Sequence, residues 1–194
     1  YDTAWEVMRL VDYLSLRTDV DPTRIGLLGV SKGGTEAYLA AAADPRIAVV
    51  APLIGVQSYG WSLRHGSAWE ARTWTLRGAV EATASGSSET VNAAFMKKFY
   101  DRLAPGLTDR FDGPAMLPLI APRPMIIVNG DSDPRSPAGG VREAFAAAER
   151  AYKEAGVPER LVAMLQVDTA HEVSPEAWAS VYGWFARWLK PMAR

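Results

Sequence analysis

Gly29-Val30-Ser31-Lys32-Gly33 sets a serine between two glycines, each two residues away. An apolar run, Arg24-Ile-Gly-Leu-Leu-Gly-Val30, precedes it, and an Ala-rich segment, Ala37 to Ala43, follows. A serine hydroxyl is a weak nucleophile until a base takes its proton. A sharp strand-to-helix turn lifts that hydroxyl clear of the chain around it. Such a turn strains the serine backbone and leaves no room for side chains at Gly29 and Gly33. Gly34 lets the following helix pack closely. The Lys32 N–H then lies at a helix N-terminus, where it can donate to a developing oxyanion. The plainer reading of the same residues is a glycine-rich turn with Ser31 as helix N-cap.

The base must come from His65 or His171, the only two histidines. His171 lies in Asp168-Thr-Ala-His-Glu-Val173, after an apolar segment and before the last helix. That is the carboxyl end of a strand, where parallel sheets place their sites. His65 stands beside Arg64 and reads as a surface or lid residue. An orienting carboxylate is offered by Asn129-Gly-Asp131-Ser-Asp133-Pro134, again after an apolar run. Asp131 and Asp133 compete for that role: Pro134 fixes the turn at Asp133, whereas Asp131 could brace the loop. Asp168 is too near His171 in sequence to face it well and reads as a loop-stabilising carboxylate. With no Cys there is neither thiolate nor disulfide. No H-E-x-x-H, phosphate-loop or dinucleotide pattern occurs, so neither a metal nor an organic cofactor is expected.

These residues need a scaffold, and the apolar patterning supplies one. Trp5, Met8, Val11 and Leu14 or Leu16 recur at helical spacing, and Asp19 to Thr23 is turn chemistry. Arg24 to Val30, Ile47 to Ile54, Pro124 to Asn129 and Leu161 to Val167 read as buried strands. Ala138 to Ala155 reads as a helix with Val141, Phe145, Ala148 and Tyr152 inward. Pro175 to Leu189 reads as another, with Trp178, Val181, Tyr182, Phe185 and Trp188 inward. Strands alternating with helices predict an α/β fold, a mostly parallel sheet with helices on both faces. Gln57 to Pro122 is too long for a plain crossover. It is expected to hold a lid-like insertion, with helices over Ser67 to Ala84 and Glu89 to Leu103, a turn at Ser85, and one of those helices as the crossover. Trp61, Trp69 and Trp74 could line an apolar pocket there, although aromatics more often glue an insertion to the body.

The 194 residues carry 21 Lys+Arg against 22 Asp+Glu, with 48% hydrophobic residues. One globular domain is expected over residues 1–194. The near-zero charge argues against a nucleic-acid or anionic-membrane partner. The longest apolar run, Ile47 to Val56, is far short of the roughly 20 residues that span a bilayer. No signal-peptide pattern opens the chain, and the compartment stays open.

The order Ser31, Asp133, His171 is that of α/β-hydrolases. The sequence resembles the C-terminal part of that superfamily, in its dienelactone hydrolase, acetyl xylan esterase and prolyl-oligopeptidase-like group. Arg24 to Gly34, Ala121 to Pro134 and Ala170-His-Glu172 carry the likeness, and Gln57 to Asp112 has no match. The resemblance implies that the acid follows its strand as G-x-x-D, which favours Asp133. It implies a serine hydrolase of carboxylic esters acting on a small-molecule ester, with thioesterase and peptidase as alternatives for the same triad. A non-catalytic, hydrolase-like binding protein is the rival of another class. Family members also carry strands before the first helix seen here, and one of those loops holds a second oxyanion donor. A further N-terminal segment or a second chain, pairing with Arg24 to Val30, is therefore expected.

Overall fold

A computed structural model describes residues 2–73 and 76–190; Trp74 lies outside the described residues. Helix α1 (Asp2–Ser15) leads to strand β1 (Ile25–Val30), helix α2 (Lys32–Ala43) and strand β2 (Ile47–Leu53). Strand β3 (Met125–Gly130), helix α7 (Ala138–Glu154), strand β4 (Leu161–Gln166) and helix α8 (Pro175–Trp188) follow the insertion. The sheet is wholly parallel, in the order β1-β2-β3-β4. The two central strands are the continuous apolar runs, because a strand covered on both faces has no polar side to alternate with. All six residues of β3 are buried, and six of the seven in β2.

Helices cover both faces. On one face Val11 of α1, the Ala-rich side of α2 and the Val141, Phe145, Ala148, Tyr152 stripe of α7 pack on Ile25, Ile47, Met125 and Ile127. On the other, α8 packs alone on Val49, Ala51, Leu53, Ile126 and Val128. The inward stripe of α8 centres on Ala177, Val181 and Trp184; of the residues read from sequence, Val181 is buried there and Trp178, Phe185 and Trp188 pack against it, but Tyr182 does not. Tyr182 is 65% exposed, because it sits on the opposite side of the helix from Trp184 and stacks on Trp178 instead. Among the described residues β1 is an edge strand, and its Leu28 and Val30 are exposed.

The insertion differs in detail from its sequence reading. Ser67 to Ala84 is not one helix but a 3₁₀ turn, Ala68–Arg72, and helix α4 (Arg77–Ser87), both beyond α3 (Tyr59–Arg64). Helix α4 runs through the expected turn at Ser85 and stops at Ser88, whose φ of 56° breaks the helical path. Ser87 is the last helical residue, and its hydroxyl donates back to the Thr83 carbonyl at 3.0 Å. Helix α5 (Ala93–Leu103) starts later than Glu89, because the Asn92 side chain caps it on the Phe95 N–H at 2.9 Å. Neither α4 nor α5 is the crossover. They enclose a separate core of Val80, Phe95, Met96, Phe99 and Tyr100. The piece that packs on the main core is α6 (Gly113–Met116) with the 3₁₀ turn Leu117–Ile120, where Leu117 and Ile120 are fully buried.

Candidate active site

Because all four strands are parallel, the loops after β1, β3 and β4 leave from one edge of the sheet. Ser31 follows β1 directly with φ 57° and ψ −115°, a conformation that costs a non-glycine residue of order 1–3 kcal/mol. It occupies the N-cap position of α2, yet its side chain makes no capping bond. Its Oγ lies 2.7 Å from His171 Nε2 instead. His171 Nδ1 lies 2.7 Å from Asp133 Oδ2. Asp133 is 3% exposed, and its other oxygen accepts the Arg135 N–H at 2.8 Å. A serine hydroxyl, an imidazole and a buried carboxylate thus stand in one line, each within hydrogen-bond reach of the next.

Asp131 is outside this line. Its Oδ1 accepts from the Ser132 hydroxyl, and its N–H donates to the Gln166 carbonyl at 3.0 Å, so it braces the loop. Gly29 is where sequence places a steric demand: a methyl there would overlap the Gly33 carbonyl. Gly34 approaches the Leu53 carbonyl so closely that a Cβ would sit 2.6 Å from its oxygen. Gly33 departs from expectation, since nothing lies within 4 Å of where its Cβ would be. The turn closes through the Gly33 backbone, and the vacant side points outward. The Lys32 side chain is 83% exposed, with Nζ 3.4 Å from Glu36, while its backbone N–H opens α2.

The tryptophans and His65 sit in the insertion. Trp61 presses on α7, where a methyl at Gly139 would overlap the indole. His65 stacks on Trp61 with ring centroids 4.0 Å apart, and its Nδ1 is 2.7 Å from the Trp61 carbonyl. A groove of about 580 Å³ between His65, Ser67, Glu70, Pro134 and Pro137 separates the insertion from the Asp133 loop. Trp69 packs against the insertion's own core.

Two supporting residues escaped the sequence reading. Gln166 closes β4: its Nε2 donates to the Glu172 carbonyl at 3.0 Å and its Oε1 accepts the Ser174 N–H at 2.8 Å, which ties down the segment just after His171. A polar residue ending an apolar strand was the available signal. Asp112 is buried and accepts from Ser58 Oγ and from the Tyr59, Gly60 and Gly113 N–H groups, all at 2.9 Å. Burial raises its carboxyl pKa above the ordinary range, and those four donors oppose the rise. Its place before Gly113-Pro114 marks a helix N-cap, and that was its signal.

A parallel sheet holding a Ser–His–Asp line at its carboxyl edge, with the three residues in the chain order Ser, Asp, His, defines the α/β-hydrolase class. Solved structures of that class superpose on it. A glucuronoyl esterase from Solibacter usitatus gives a TM-score of 0.62 at 22% identity, over 94% of this chain and 47% of its own. An acetyl xylan esterase from Paenibacillus sp. R4 gives 0.62 at 21% identity, over 95% and 52%. Within the class, residues 2–156 match the glucuronyl esterase family of fungi, and the chain belongs to that family. A 4-O-methyl-glucuronoyl methylesterase from Podospora anserina is 32% identical over 128 residues, 64% of this chain and 25% of its own. A putative hydrolase from Bacillus subtilis is 29% identical over 137 residues, 71% and 37%. The chain thus spans a quarter to just over a third of these two relatives and about half of the two solved structures.

Proposed function

We propose that this chain carries the catalytic domain of a serine hydrolase that cleaves carboxylic esters through an acyl-enzyme. The observation that carries the reading is the unbroken line from Ser31 Oγ through His171 to Asp133, with both contacts at 2.7 Å. His171 Nε2 takes the Ser31 proton as Oγ attacks the acyl carbon. Asp133 holds the proton on Nδ1 and stabilises the imidazolium. The Lys32 N–H, at the N-terminus of α2, donates to the oxyanion. The imidazolium then protonates the leaving alcohol, and water, with His171 as base again, frees the acid.

The substrate is a small or sugar ester. The names of its relatives support this, since they are glucuronoyl and acetyl xylan esterases. The groove beside the Asp133 loop supports it too, for His65 and Glu70 offer hydroxyl groups polar partners. Residues 57–122 hold the lid over this domain together with the crossover, with Trp61 fastening the lid to α7. The second oxyanion N–H comes from an N-terminal segment or a second chain whose strands pair with β1. The exposure of Leu28 and Val30 on that edge, and of Trp5 on α1, supports such a cover. Among the described residues no helix is long and apolar enough to cross a membrane.

A fluorophosphonate probe with peptide mass mapping tests the reading. Covalent labelling of Ser31, with turnover of p-nitrophenyl acetate and of methyl glucuronate or acetylated xylose esters, is the expected result. Labelling at another serine, or none, would overturn it.

A further inference from the structure

The nucleophile does not hold its strained conformation alone. Strand β2 lies beside β1 in a register that pairs Val30 with Leu53, so Ile54 stands alongside Ser31. Both residues have left-handed backbone: φ is 57° at Ser31 and 45° at Ile54. A β-branched side chain is a true outlier there, because its Cβ crowds the carbonyl that follows. Two strained residues side by side persist only where their surroundings over-determine them.

The surroundings do so. The Ser31 N–H donates to the Leu53 carbonyl at 2.8 Å. The Thr35 N–H donates to the Ser31 carbonyl at 3.1 Å, and the Thr35 hydroxyl donates to the Gly55 carbonyl at 2.9 Å. Gly55 is tucked so closely under the turn that a Cβ would overlap the Ser31 carbonyl and sit 2.7 Å from the Thr35 nitrogen. On its far side the same segment is tied to β3. The Ile54 N–H donates to the Val128 carbonyl at 2.6 Å, and the Asn129 amide donates to the Val56 carbonyl at 3.1 Å. Strand β3 leads into the Asp133 loop. Leu53 to Val56 therefore runs as a buried strap from the nucleophile's turn to the acid's strand.

We infer that Thr35, with the Ile54–Gly55 turn, is a positioning unit that sets the alignment of Ser31 with His171. The inference deepens the esterase reading and rests on it for its kinetic arm. Thr35 touches no reacting atom and acts through Ser31. Its hydroxyl bonds from α2 to the β2 turn, so removing it frees the elbow without opening the core. The positive φ at Ile54 turns the Gly55 carbonyl to meet that hydroxyl.

The experiment pairs Thr35→Val with Thr35→Ser in the whole protein that carries this chain. It reads kcat and KM on p-nitrophenyl acetate, and the ¹⁵N resonances of the His171 ring, with Ser31→Ala as reference. Misplacing a reacting group by about 1 Å costs up to roughly a hundredfold, so Thr35→Val is expected to lower kcat about tenfold at unchanged KM. It should also move the His171 Nε2 resonance toward that of Ser31→Ala. Thr35→Ser, which keeps the hydroxyl, should restore both to within about twofold. Gly55→Ala should lower kcat further, by about a hundredfold. A Thr35→Val protein with wild-type kcat, or with an unmoved His171 resonance, overturns the inference. If the wild type turned over no ester while Thr35→Val still moved the resonance, the positioning unit would stand and the esterase reading would fall.

Discussion

The sheet edge that carries Ser31 and the insertion are held together by different means. At the edge, main chain lies on main chain. Gly29 and Gly34 meet carbonyls at distances that exclude a methyl, and Ser31 is bonded to Leu53 through its own backbone. In the insertion, close backbone contacts at Gly60 and Gly113 are joined by a larger share of side-chain packing. Phe95, Met96, Phe99 and Tyr100 close one small core, Trp61 wedges against α7, and the buried Asp112 gathers four donors. Backbone contacts tolerate little displacement, whereas side-chain packing tolerates exchange of similar volumes. Substitutions at the edge should therefore act on turnover, and those in the insertion on stability and its dependence on pH.

The largest effect expected is at the nucleophile. Ser31→Ala should lower kcat by roughly a million-fold, with melting temperature barely changed, since the serine contributes strain rather than packing. Steady-state kinetics and a thermal melt on the same sample check both halves. An inactive variant that is also unfolded would blur the line between the two regions.

Next comes the acid. Asp133→Asn should cost about ten-thousandfold in kcat, because an amide there favours the wrong His171 tautomer. Asp131→Asn should cost about twofold or less, since that carboxylate only accepts from Ser132. The reverse ranking, measured at a pH where His171 is neutral, would move the orienting role to Asp131.

The two regions were unequally legible from sequence. The Gly-x-Ser-x-Gly turn with the strand before it is a local pattern with two readings, elbow or capped turn, and the chain order of Ser31, Asp133 and His171 favours the elbow. The register of parallel strands then brings them together without further information. Asp131 and Asp133 could not be separated on local grounds alone. What separates them is that the loop is bonded to the Thr169 carbonyl through Ser132, a contact from another strand's loop. The insertion carried no such pattern. Its helices begin and end where Asn92 caps and Ser88 turns left-handed, and helix periodicity does not register either event. Tyr182 was misplaced because Trp178, Val181, Tyr182 and Phe185 fit one helical stripe as well as the true one does.

A smaller effect should distinguish the insertion by pH. Asp112 holds its proton more tightly in the fold than in the unfolded chain, because burial disfavours the charge. Over the interval between the ordinary carboxylate value and the raised one, the folded state binds more protons. Its contribution to stability is then greatest below that interval and declines as pH rises through it. Asp112→Asn removes the titration and turns an NH₂ group, which cannot accept, toward two of the four donors, at a cost of about 1–3 kcal/mol. The gap in melting temperature between wild type and variant should be widest in acid and narrow toward neutral pH. A gap that widens as pH rises would mean that the four donors outweigh burial and hold the carboxylate charged.

The smallest effect concerns the glycine that the elbow does not need. Gly29 and Gly33 flank the serine symmetrically in sequence, but only Gly29 faces a carbonyl that a methyl would strike. Gly33 lies in the first turn of α2, and nothing is within 4 Å of its vacant side. Alanine there loses less conformational freedom on folding than glycine and should add about 0.5–1 kcal/mol. For a chain of this length that is a rise in melting temperature of about 2 °C. Turnover of p-nitrophenyl acetate should stay within about twofold, because the Lys32 N–H and Ser31 are set by the backbone and by Gly29. Gly29→Ala should abolish turnover, so the pair of variants isolates the steric cause. If Gly33→Ala lost activity at unchanged stability, the vacant side would be the path along which the acyl group reaches Ser31. The glycine would then serve the substrate rather than the turn.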